Sequence, residues 1–307
     1  MIYLDNYAFR VKSLDRLTEE KLEPLGVASP PKGKVFVADD FIVGWGYPPR
    51  GCRGCVMESG FFRFAYHIDR LGLYQHSSFS TLEGRRAVDS YDPPYSMVET
   101  VRNCKRNYSK YPQGQDPEFA GSEVDWKGVV LASQNPGDRS VLAGASADDY
   151  YRFYRRACKY YGGNLFVKLH PWNSGEVGEE LRRVAKLYGC QVGKVNHRVI
   201  ENCEFVVVYN STFAVDCFMR GKKVAQYAPG YFYQLPCVTY TRGHFYDRVT
   251  PDVEWGYRLC DFLLWKYCFN QKMTEEMWVK IFNVFGNSWD MFPLPEDLSY
   301  AGTWGEL

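Results

Sequence analysis

Four polar segments follow apolar runs in the second half of the sequence and hold residue types that bind phosphate or assist sugar chemistry. Lysine, histidine, amide and hydroxyl groups donate hydrogen bonds to phosphate oxygens, and a carboxylate can stabilise a cation or move a proton. If the apolar runs are parallel strands, these segments lie beyond their carboxyl ends, where ligands bind in open α/β sheets. The segments are 134-QNPGDRS-140, 168-KLHPWN-173, 210-NSTF-213 and 228-APGYFYQ-234.

Asn210, Ser211 and Thr212 begin a predicted helix directly after the apolar run FVVVY. Backbone N–H groups at a helix N-terminus, helped by hydroxyl groups, form an anion site with about half a unit of positive charge. This position favours a monophosphate or diphosphate group. The alternative is that Ser211 or Thr212 only caps the helix.

Lys168 and His170 lie at the end of a neighbouring apolar run, LFVKL. Residues two apart in a strand share one face, so both side chains can donate to the same phosphate. A charge or ring nitrogen left unpaired in a buried strand is costly, which favours a ligand as the partner. The alternative is a histidine whose hydrogen bonds are satisfied within the protein.

Two carboxylates, Asp138 and Glu58, are the catalytic candidates. A carboxylate near a phosphate site is unfavourable unless it faces a metal, a developing cation or an acceptor hydroxyl, and the anomeric centre in sugar transfer is such a cation. Glu58 ends the run CVMES, and Gly60 after it permits close approach of the backbone. The alternatives are a turn or capping aspartate and a solvated glutamate.

The second half of the chain alternates strand-like and helix-like segments, which predicts β-α-β units around a parallel sheet in a doubly wound, Rossmann-like domain. Ser146 and Asp149 resemble a helix N-terminal capping pair, and Gly162, Gly189 and Gly221 stand where helices should end. No G-x-G-x-x-G follows a strand, so dinucleotide binding is not indicated. The predicted strands are 127–134, 164–171, 190–195, 205–210 and 222–228, and the predicted helices are 146–162, 176–189, 197–203 and 211–221.

The first half is less regular, with strand-like runs at 1–5, 34–45 and 55–59 and a polar, Pro- and Gly-containing linker at 107–123. Two helical patterns, 253–270 and 274–286, close the chain. We therefore expect an N-terminal domain over 1–122, a C-terminal domain over 123–250, and C-terminal helices over 251–307 that pack back on the first domain.

The composition excludes several classes of protein. With a net charge of +1 over 307 residues, no global field favours nucleic acid or an anionic membrane. No 18-residue apolar window and no signal peptide is present, so the protein is expected to be cytoplasmic without a transmembrane segment. The 10 cysteines include one C-x-x-C, at Cys52 and Cys55, without a second ligand pair, and are expected to be mostly reduced core thiols.

A basic and aromatic stretch near the linker leaves DNA open as a partner. Cationic side chains that alternate with tyrosines can contact phosphates and stack on bases, although a solvated linker has the same composition. The residues are Arg102, Lys105, Arg106, Tyr108, Lys110 and Tyr111.

Several of these motifs together resemble the capsule polysaccharide biosynthesis glycosyltransferases, in particular the retaining Kdo transferases. The resemblance covers about residues 50 to 245 and is strongest over 127–235. It is carried by ESGFF (58–62), GDRSV (137–141), VKLHP (167–171), NSTFAVD (210–216), RGKKV (220–224) and a Gly- and Tyr-rich turn (230–233).

The resemblance implies a GT-B fold, in which two Rossmann-like domains face a cleft, with the first domain trimmed in this short chain. It implies Asp138 as the nucleophile at the anomeric carbon and Glu58 as acid or base toward the acceptor, with no metal and no cofactor. Asp216 stands where the family often has glutamate, which affects ribose recognition. The donor-binding set is Lys168, His170, Asn210, Ser211, Thr212, Asp216 and Tyr231.

Three functions follow as hypotheses. The first is a retaining glycosyltransferase that moves a sugar from a CMP- or UDP-sugar to a glycan or glycolipid hydroxyl. The second is a viral DNA glycosyltransferase that acts on hydroxymethylated pyrimidines. The third is a non-catalytic glycan- or nucleotide-binding module, which would not require both Glu58 and Asp138.

Overall fold

A computed structural model describes residues 2–4, 27–28, 41–45, 53–62, 65–103, 123–241, 243–270, 274–288 and 290–303 of the chain. The chain divides into two compact units, which are described one at a time. Unit 1 comprises Met1–Met97 and Asp261–Leu307, and unit 2 comprises Val98–Cys260. The predicted linker at 107–123 falls almost entirely outside the described residues, and the predicted domain borders stay a prediction.

Unit 1 contains a six-stranded mixed sheet in the order β12-β5-β4-β3-β1-β2. The pairs among β1 to β4 are parallel, whereas β5 pairs antiparallel with β4 and with β12. The strands are β1 (Ile2–Leu4), β2 (Val27–Ala28), β3 (Phe41–Trp45), β4 (Arg53–Ser59), β5 (Ala65–Asp69) and β12 (Cys268–Asn270).

The helices of unit 1 include one that forms a core with the sheet. Trp278, Ile281, Phe282 and Phe285 of α8 pack with strand residues such as Met57. Their spacing of three and four residues places them on one face of the helix. The helices are α1 (Leu82–Ser90), α2 (Met97–Asn103), which crosses into unit 2, and α8 (Glu275–Asn287), with single turns of 3-10 helix at Tyr74–His76, Ser78–Ser80 and Glu296–Leu298.

The predicted helical pattern over 253–270 is wrong for its last three residues, which form a strand. Helix α7 (Val253–Phe262) continues as a π-helix over Leu263–Tyr267, and β12 then pairs with β5. All three residues of β12 are buried, and a short buried run carries no periodicity that separates helix from strand. The predicted helix at 274–286 is confirmed by α8.

Unit 2 contains a six-stranded sheet in the order β11-β10-β9-β6-β7-β8, and all its pairs are parallel. The direction of strand succession reverses between β6 and β9, which lie side by side, so this is the switch point of a doubly wound sheet. The strands are β6 (Val129–Ala132), β7 (Leu165–Lys168), β8 (Gln191–Gly193), β9 (Val206–Val208), β10 (Val224–Gln226) and β11 (Thr239–Tyr240).

Three of the four predicted helices of unit 2 form within a few residues of their predicted bounds. The predicted helix 197–203 is only a turn of 3-10 helix at His197–Ile200, and α3 (Arg139–Leu142) was not predicted. Helix α4 (Ala147–Tyr161) starts at the reciprocal capping pair Ser146 and Asp149, and Gly162 after it has a φ of 53°. A positive φ is accessible to glycine without steric cost. The other elements are α3 (Arg139–Leu142), α5 (Gly175–Leu187), α6 (Phe213–Met219) and single turns of 3-10 helix at Gly162–Asn164 and His197–Ile200.

The core of unit 2 explains why its strands are continuous apolar runs. Alternate strand residues such as Val129, Val167 and Val207 pack with buried side chains of α4 and α5. The intervening residues Val130 and Val206 are also buried, so both faces of the sheet are covered. The α/β class with a parallel sheet is thereby confirmed, and the GT-B arrangement of two domains about a cleft stays a prediction.

Two further properties concern the described residues only. Among the helices in this part of the chain, none combines the length and apolar character that a membrane span needs. The eight cysteines described have buried free thiols, as predicted: Cys55, Cys158, Cys190, Cys203, Cys217, Cys237, Cys260 and Cys268.

Candidate functional site

The loops that follow β6 and β9 are joined by two hydrogen bonds at the switch point. Gln134 Nε2 donates to Asn210 Oδ1 at 3.0 Å, and the backbone N–H of Asn210 donates to Gln134 Oε1 at 3.1 Å. Gln134 Nε2 also lies 3.2 Å from Ser140 Oγ. The two polar segments predicted to meet at the edge of the sheet therefore do meet.

Asn210 also forms a hydrogen bond with a third loop, the one that follows β10. Its Nδ2 donates to the carbonyl oxygens of Ser140 at 2.6 Å and Pro229 at 3.1 Å. A Cβ on Gly230 would lie 2.7 Å from Asn210 Cβ, so the loop after β10 approaches closer than any other residue type permits. Asn210 is only 2% exposed, and its amide is committed to protein partners, so it positions these loops.

Ser211 and Thr212 supply the groups in these loops that a ligand can reach. Ser211 Oγ accepts from the N–H of Phe213 at 3.2 Å, and Thr212 occupies the N-cap of α6 without a capping bond from its side chain. The backbone N–H groups of Ser211 and Thr212 form no hydrogen bond with the residues described. Two adjacent partly exposed amides can bind an anionic oxygen.

The loop after β7 is held by hydrogen bonds of Asn173, a residue that was not predicted as part of the site. Its Oδ1 accepts from His170 N–H at 2.9 Å and from Ser133 Oγ at 2.7 Å, while its Nδ2 donates to Gln134 O at 3.3 Å. The fully buried amide thereby ties the loop after β7 to the loop after β6. An asparagine three residues after His170 was the available signal, because such amides often bond nearby backbone.

The His170 ring is held by its own loop. Nδ1 accepts from Trp172 N–H at 3.2 Å, so the neutral ring carries its proton on Nε2. The ring lies 5.5 Å from that of Trp172 in an edge arrangement. Trp172 is 60% exposed, which leaves a large aromatic side chain beside His170 at the edge of the sheet.

Lys168 lies in the interior of unit 2. Its Nζ donates to Val195 O at 2.8 Å and lies 5.6 Å from the centre of the Phe213 ring. Burial lowers the pKa of Lys168 from 10.5 to about 8, and the carboxylate of Asp216 partly offsets this shift. The ammonium group is thus held within the protein next to the start of α6.

Asp216 and His197 are two further buried polar residues near Lys168. His197 Nε2 lies 3.9 Å from Asp216 Oδ1, and the His197 ring stacks on Phe213 at 4.9 Å. Burial, together with the charges of Lys168 and Arg220, holds the pKa of His197 well below its usual 6.5, so the ring is neutral at pH 7. His197 was not predicted, because nothing in NHRVI distinguishes it from a surface histidine.

Asp138 occupies the N-cap of α3, the turn position considered as the alternative. Its backbone O accepts from the N–H groups of Val141 and Leu142, both at 3.0 Å, whereas its carboxylate makes no capping bond. The side chain is partly exposed. Asp138 therefore ends the loop that begins with Gln134 and directly precedes α3, and the N-cap does not use its carboxylate.

The remaining predicted site residues are Glu58, Tyr231 and the basic and aromatic residues near the predicted linker. Glu58 belongs to unit 1, where it is partly buried and lies opposite His67 in the pairing of β4 with β5. Tyr231 is buried, with its ring 6.4 Å from that of Phe232. Lys105, Arg106, Tyr108 and the side chain of Arg102 lie outside the described residues.

The hydrogen-bond donors in these loops suit an anion, whereas few groups there can bind a metal ion. Amide N–H groups and a histidine Nε2–H are hydrogen-bond donors, and metals prefer acceptors such as clustered carboxylates and thiolates. In the described part of the chain no group of three or more His, Cys, Asp or Glu side chains is placed to hold a metal ion.

Comparison with known proteins gives a likeness in fold. No family model matches the chain, and no curated protein matches it. The KpsC beta Kdo 2,7 transferase of Thermosulfurimonas dismutans is 16% identical with a TM-score of 0.54, over 88% of this chain and 92% of that one. The KpsC beta Kdo 2,4 transferase of the same organism is 18% identical with a TM-score of 0.53, over 82% and 90%. The chain is therefore similar in fold to these two Kdo transferases.

Proposed function

We propose that the protein is a retaining glycosyltransferase of the capsule polysaccharide type, which moves a sugar from a nucleotide-sugar donor to a hydroxyl group of a glycan or glycolipid. The observation that carries the proposal is the joining of three polar loops by Gln134 and Asn210 at the switch point, where α/β sheets bind ligands. The likeness in fold to two Kdo transferases supports the same class.

The donor phosphate binds at the start of the loop after β9. The N–H groups of Ser211 and Thr212 and the Nε2–H of His170 supply the hydrogen bonds, and the buried cation of Lys168 adds positive potential near Phe213. Asn210 holds the loop, and Asp216, Tyr231 and Thr212 complete the donor site. Donors of this kind stabilise the charge that develops on the leaving nucleotide without a metal ion.

Two displacements at the anomeric carbon account for retention. The Asp138 carboxylate attacks this carbon, and the bond to the phosphate oxygen breaks with its electrons going to the nucleotide. The acceptor hydroxyl then attacks the same carbon and gives its proton to a general base, while the bond to Asp138 breaks and restores the carboxylate; Glu58 stays the prediction for this base. Two inversions retain the anomeric configuration.

Nucleotide release from a panel of CMP- and UDP-sugars with glycan acceptors tests the proposal. We expect turnover with at least one donor and a fall on the order of 10³-fold in Asp138→Asn, with donor binding retained. Asp148→Asn is the matched control, because Asp148 is an exposed carboxylate in the first turn of α4. If no donor is turned over, or if both variants keep full activity, the proposal is wrong.

The same assay, run with hydroxymethylated DNA as the acceptor, tests the DNA hypothesis. Lys105, Arg106, Tyr108 and the side chain of Arg102 lie outside the described part of the chain, so the DNA hypothesis, like the cytoplasmic location, stays a prediction. Transfer to hydroxymethylated DNA but to no glycan would keep the transferase chemistry and overturn the acceptor. Saturable donor binding without turnover on either acceptor would favour a binding module.

A further inference from the structure

Unit 2 contains a cavity of about 410 Å³ that is built from α4 and from the residues after β9 and β10. None of its lining residues belongs to the candidate site described above. Its volume is near the lower end of the range of about 300 to 1,000 Å³ for small-molecule sites, which suits a monosaccharide-sized ligand. The lining residues are Gly144, Ala145, Asp149, Arg152, Phe153, Arg156, Tyr209 and Tyr227.

The apolar walls of the cavity come from three aromatic rings. Tyr209 and Tyr227 stack with their ring centres 5.9 Å apart and their planes at 24°. Phe153 packs against both, at 5.1 Å from Tyr209 and 4.6 Å from Tyr227. These rings are held by one another, so the wall is formed before any ligand binds.

One face of α4 supplies the charges. Asp149, Arg152 and Arg156 recur at intervals of three and four residues and so line up along the helix. Asp149 pairs with Arg152, and hydrogen bonds from Ser146 lower the pKa of Asp149 to about 2, so this pair is neutral overall at pH 7.

Arg156 contributes a positive charge that the neutral pair of Asp149 and Arg152 does not balance. Its Nη1 donates to Tyr227 OH at 3.0 Å and its Nη2 to Gly243 O at 3.1 Å, and both of these partners are neutral. Arg156 forms no ion pair with any residue that the structure describes. The cavity therefore carries a net charge of about one positive unit at neutral pH, fixed in place by two hydrogen bonds.

Tyr209 adds a donor that the protein does not use. The residue is 3% exposed and lines the cavity, and its hydroxyl has no hydrogen-bond partner in the described part of the chain. Burial raises the pKa of Tyr209 to about 12, so the hydroxyl keeps its proton and can donate it. The hydroxyl oxygen is not among the buried polar atoms without a partner in the described residues, so it is accessible and can donate to a ligand that enters the cavity.

We propose that this cavity is a binding site for a small sugar phosphate, separate from the loops at the switch point. The phosphate pairs with Arg156, the Tyr209 hydroxyl donates to a ligand oxygen, and the sugar ring packs against the aromatic wall. The residues that carry this proposal are independent of those assigned to sugar transfer.

Calorimetric titration with ribose 5-phosphate, ribose and inorganic phosphate tests the site. We expect saturable binding of ribose 5-phosphate, weaker binding of inorganic phosphate and none of ribose. Arg156→Gln should weaken binding about tenfold or more, since it removes a charge-assisted bond, and Tyr209→Phe about threefold. Arg183→Gln, which alters an exposed arginine paired with Glu180, should bind as the wild type does.

Two results would overturn the proposal. One is the absence of saturable binding of ribose 5-phosphate to wild-type protein whose thermal unfolding is cooperative. The other is binding that Arg156→Gln and Tyr209→Phe both leave unchanged, whereas His170→Ala, which removes the Nε2–H, weakens it, which would assign the phosphate to the switch point. Tyr209→Phe removes one oxygen from a packed ring, so its effect can be measured even if Arg156→Gln unfolds.

Discussion

Gln134 and Asn210 hydrogen-bond each other twice across the switch point of the unit 2 sheet, side chain to side chain at 3.0 Å and backbone to side chain at 3.1 Å. They follow β6 and β9, the two adjacent strands between which the direction of strand succession reverses. In many α/β proteins this place is an open crevice. Here the side-chain amides of Gln134 and Asn210 close the base of the crevice, so a ligand of the proposed kind would bind to the loops and not between the strands.

Replacing Asn210 should destabilise the protein strongly. Asn210→Ala removes one of the two hydrogen bonds of Gln134 Nε2 and takes the Asn210 amide from the carbonyls of Ser140 and Pro229, and we expect a loss of about 3 kcal/mol in the free energy of unfolding. Urea denaturation measures the loss. Asn202→Ala is the control, because Asn202 is exposed and bonds only Asp125 among the described residues, and it should change stability by less than about 0.5 kcal/mol. Equal effects of the two variants would contradict the role of Asn210.

Gly230 should not tolerate a methyl group. In Gly230→Ala the new Cβ would lie 2.7 Å from Asn210 Cβ, and the loop after β10 would have to move at a cost of about 1 to 3 kcal/mol. Gly163→Ala is the matched control, since its nearest neighbour would be Gly189 O at 3.9 Å and its φ is not positive. Thermal unfolding of both variants checks the difference, and a stable Gly230→Ala protein would show that the loop is not fixed by this contact.

The sequence predicted the architecture of unit 2 well because strand and helix patterns alternate there without interruption. It could not predict which buried polar residues join the loops, since Gln134, Ser140 and Asn173 are 6 to 39 residues apart and meet only after the sheet forms. The burial of Lys168 is an example of a feature that the sequence pattern does not predict. Its spacing from His170 indicates a shared face, but the spacing does not reveal that α6 covers that face. The strand β12 was missed for a similar reason, because only its pairing with β5 distinguishes it from the helix before it.

In unit 1, the hydroxyl of Tyr267 should contribute measurably to stability. The buried Asp69 carboxylate accepts hydrogen bonds from Tyr267 OH at 2.5 Å, from Ser78 and from the backbone of Leu71 and Gly72. Tyr267→Phe leaves a buried acceptor without one of its hydrogen bonds and should cost about 1 to 2 kcal/mol in urea denaturation. Tyr160→Phe loses an exposed bond to Asp247 and should be nearly neutral. Tyr267→Phe as stable as wild type would show that the hydroxyl contributes nothing.

The last prediction concerns the buried charge of Lys168. Its pKa is about 8 in the folded protein and near 10.5 in the unfolded chain, so between these values the unfolded state binds more protons and stability rises with pH. Below pH 8 the folded protein bears a cost of about 3 kcal/mol for burying the charge, and above pH 10.5 this cost is gone. His197 stays neutral throughout this window.

Lys168→Met removes this cost at every pH, so the stability difference between variant and wild type should move in favour of wild type by about 3 kcal/mol between pH 8 and pH 10.5. Comparing the two proteins at each pH cancels the titration of the tyrosines and cysteines that both contain. Urea denaturation at pH 7, 8, 9 and 10 measures the difference. Lys186→Met, at an exposed position of α5, should show no such trend. A difference between Lys168→Met and wild type that is constant with pH would mean that the ammonium group is as well solvated in the folded protein as in the unfolded chain.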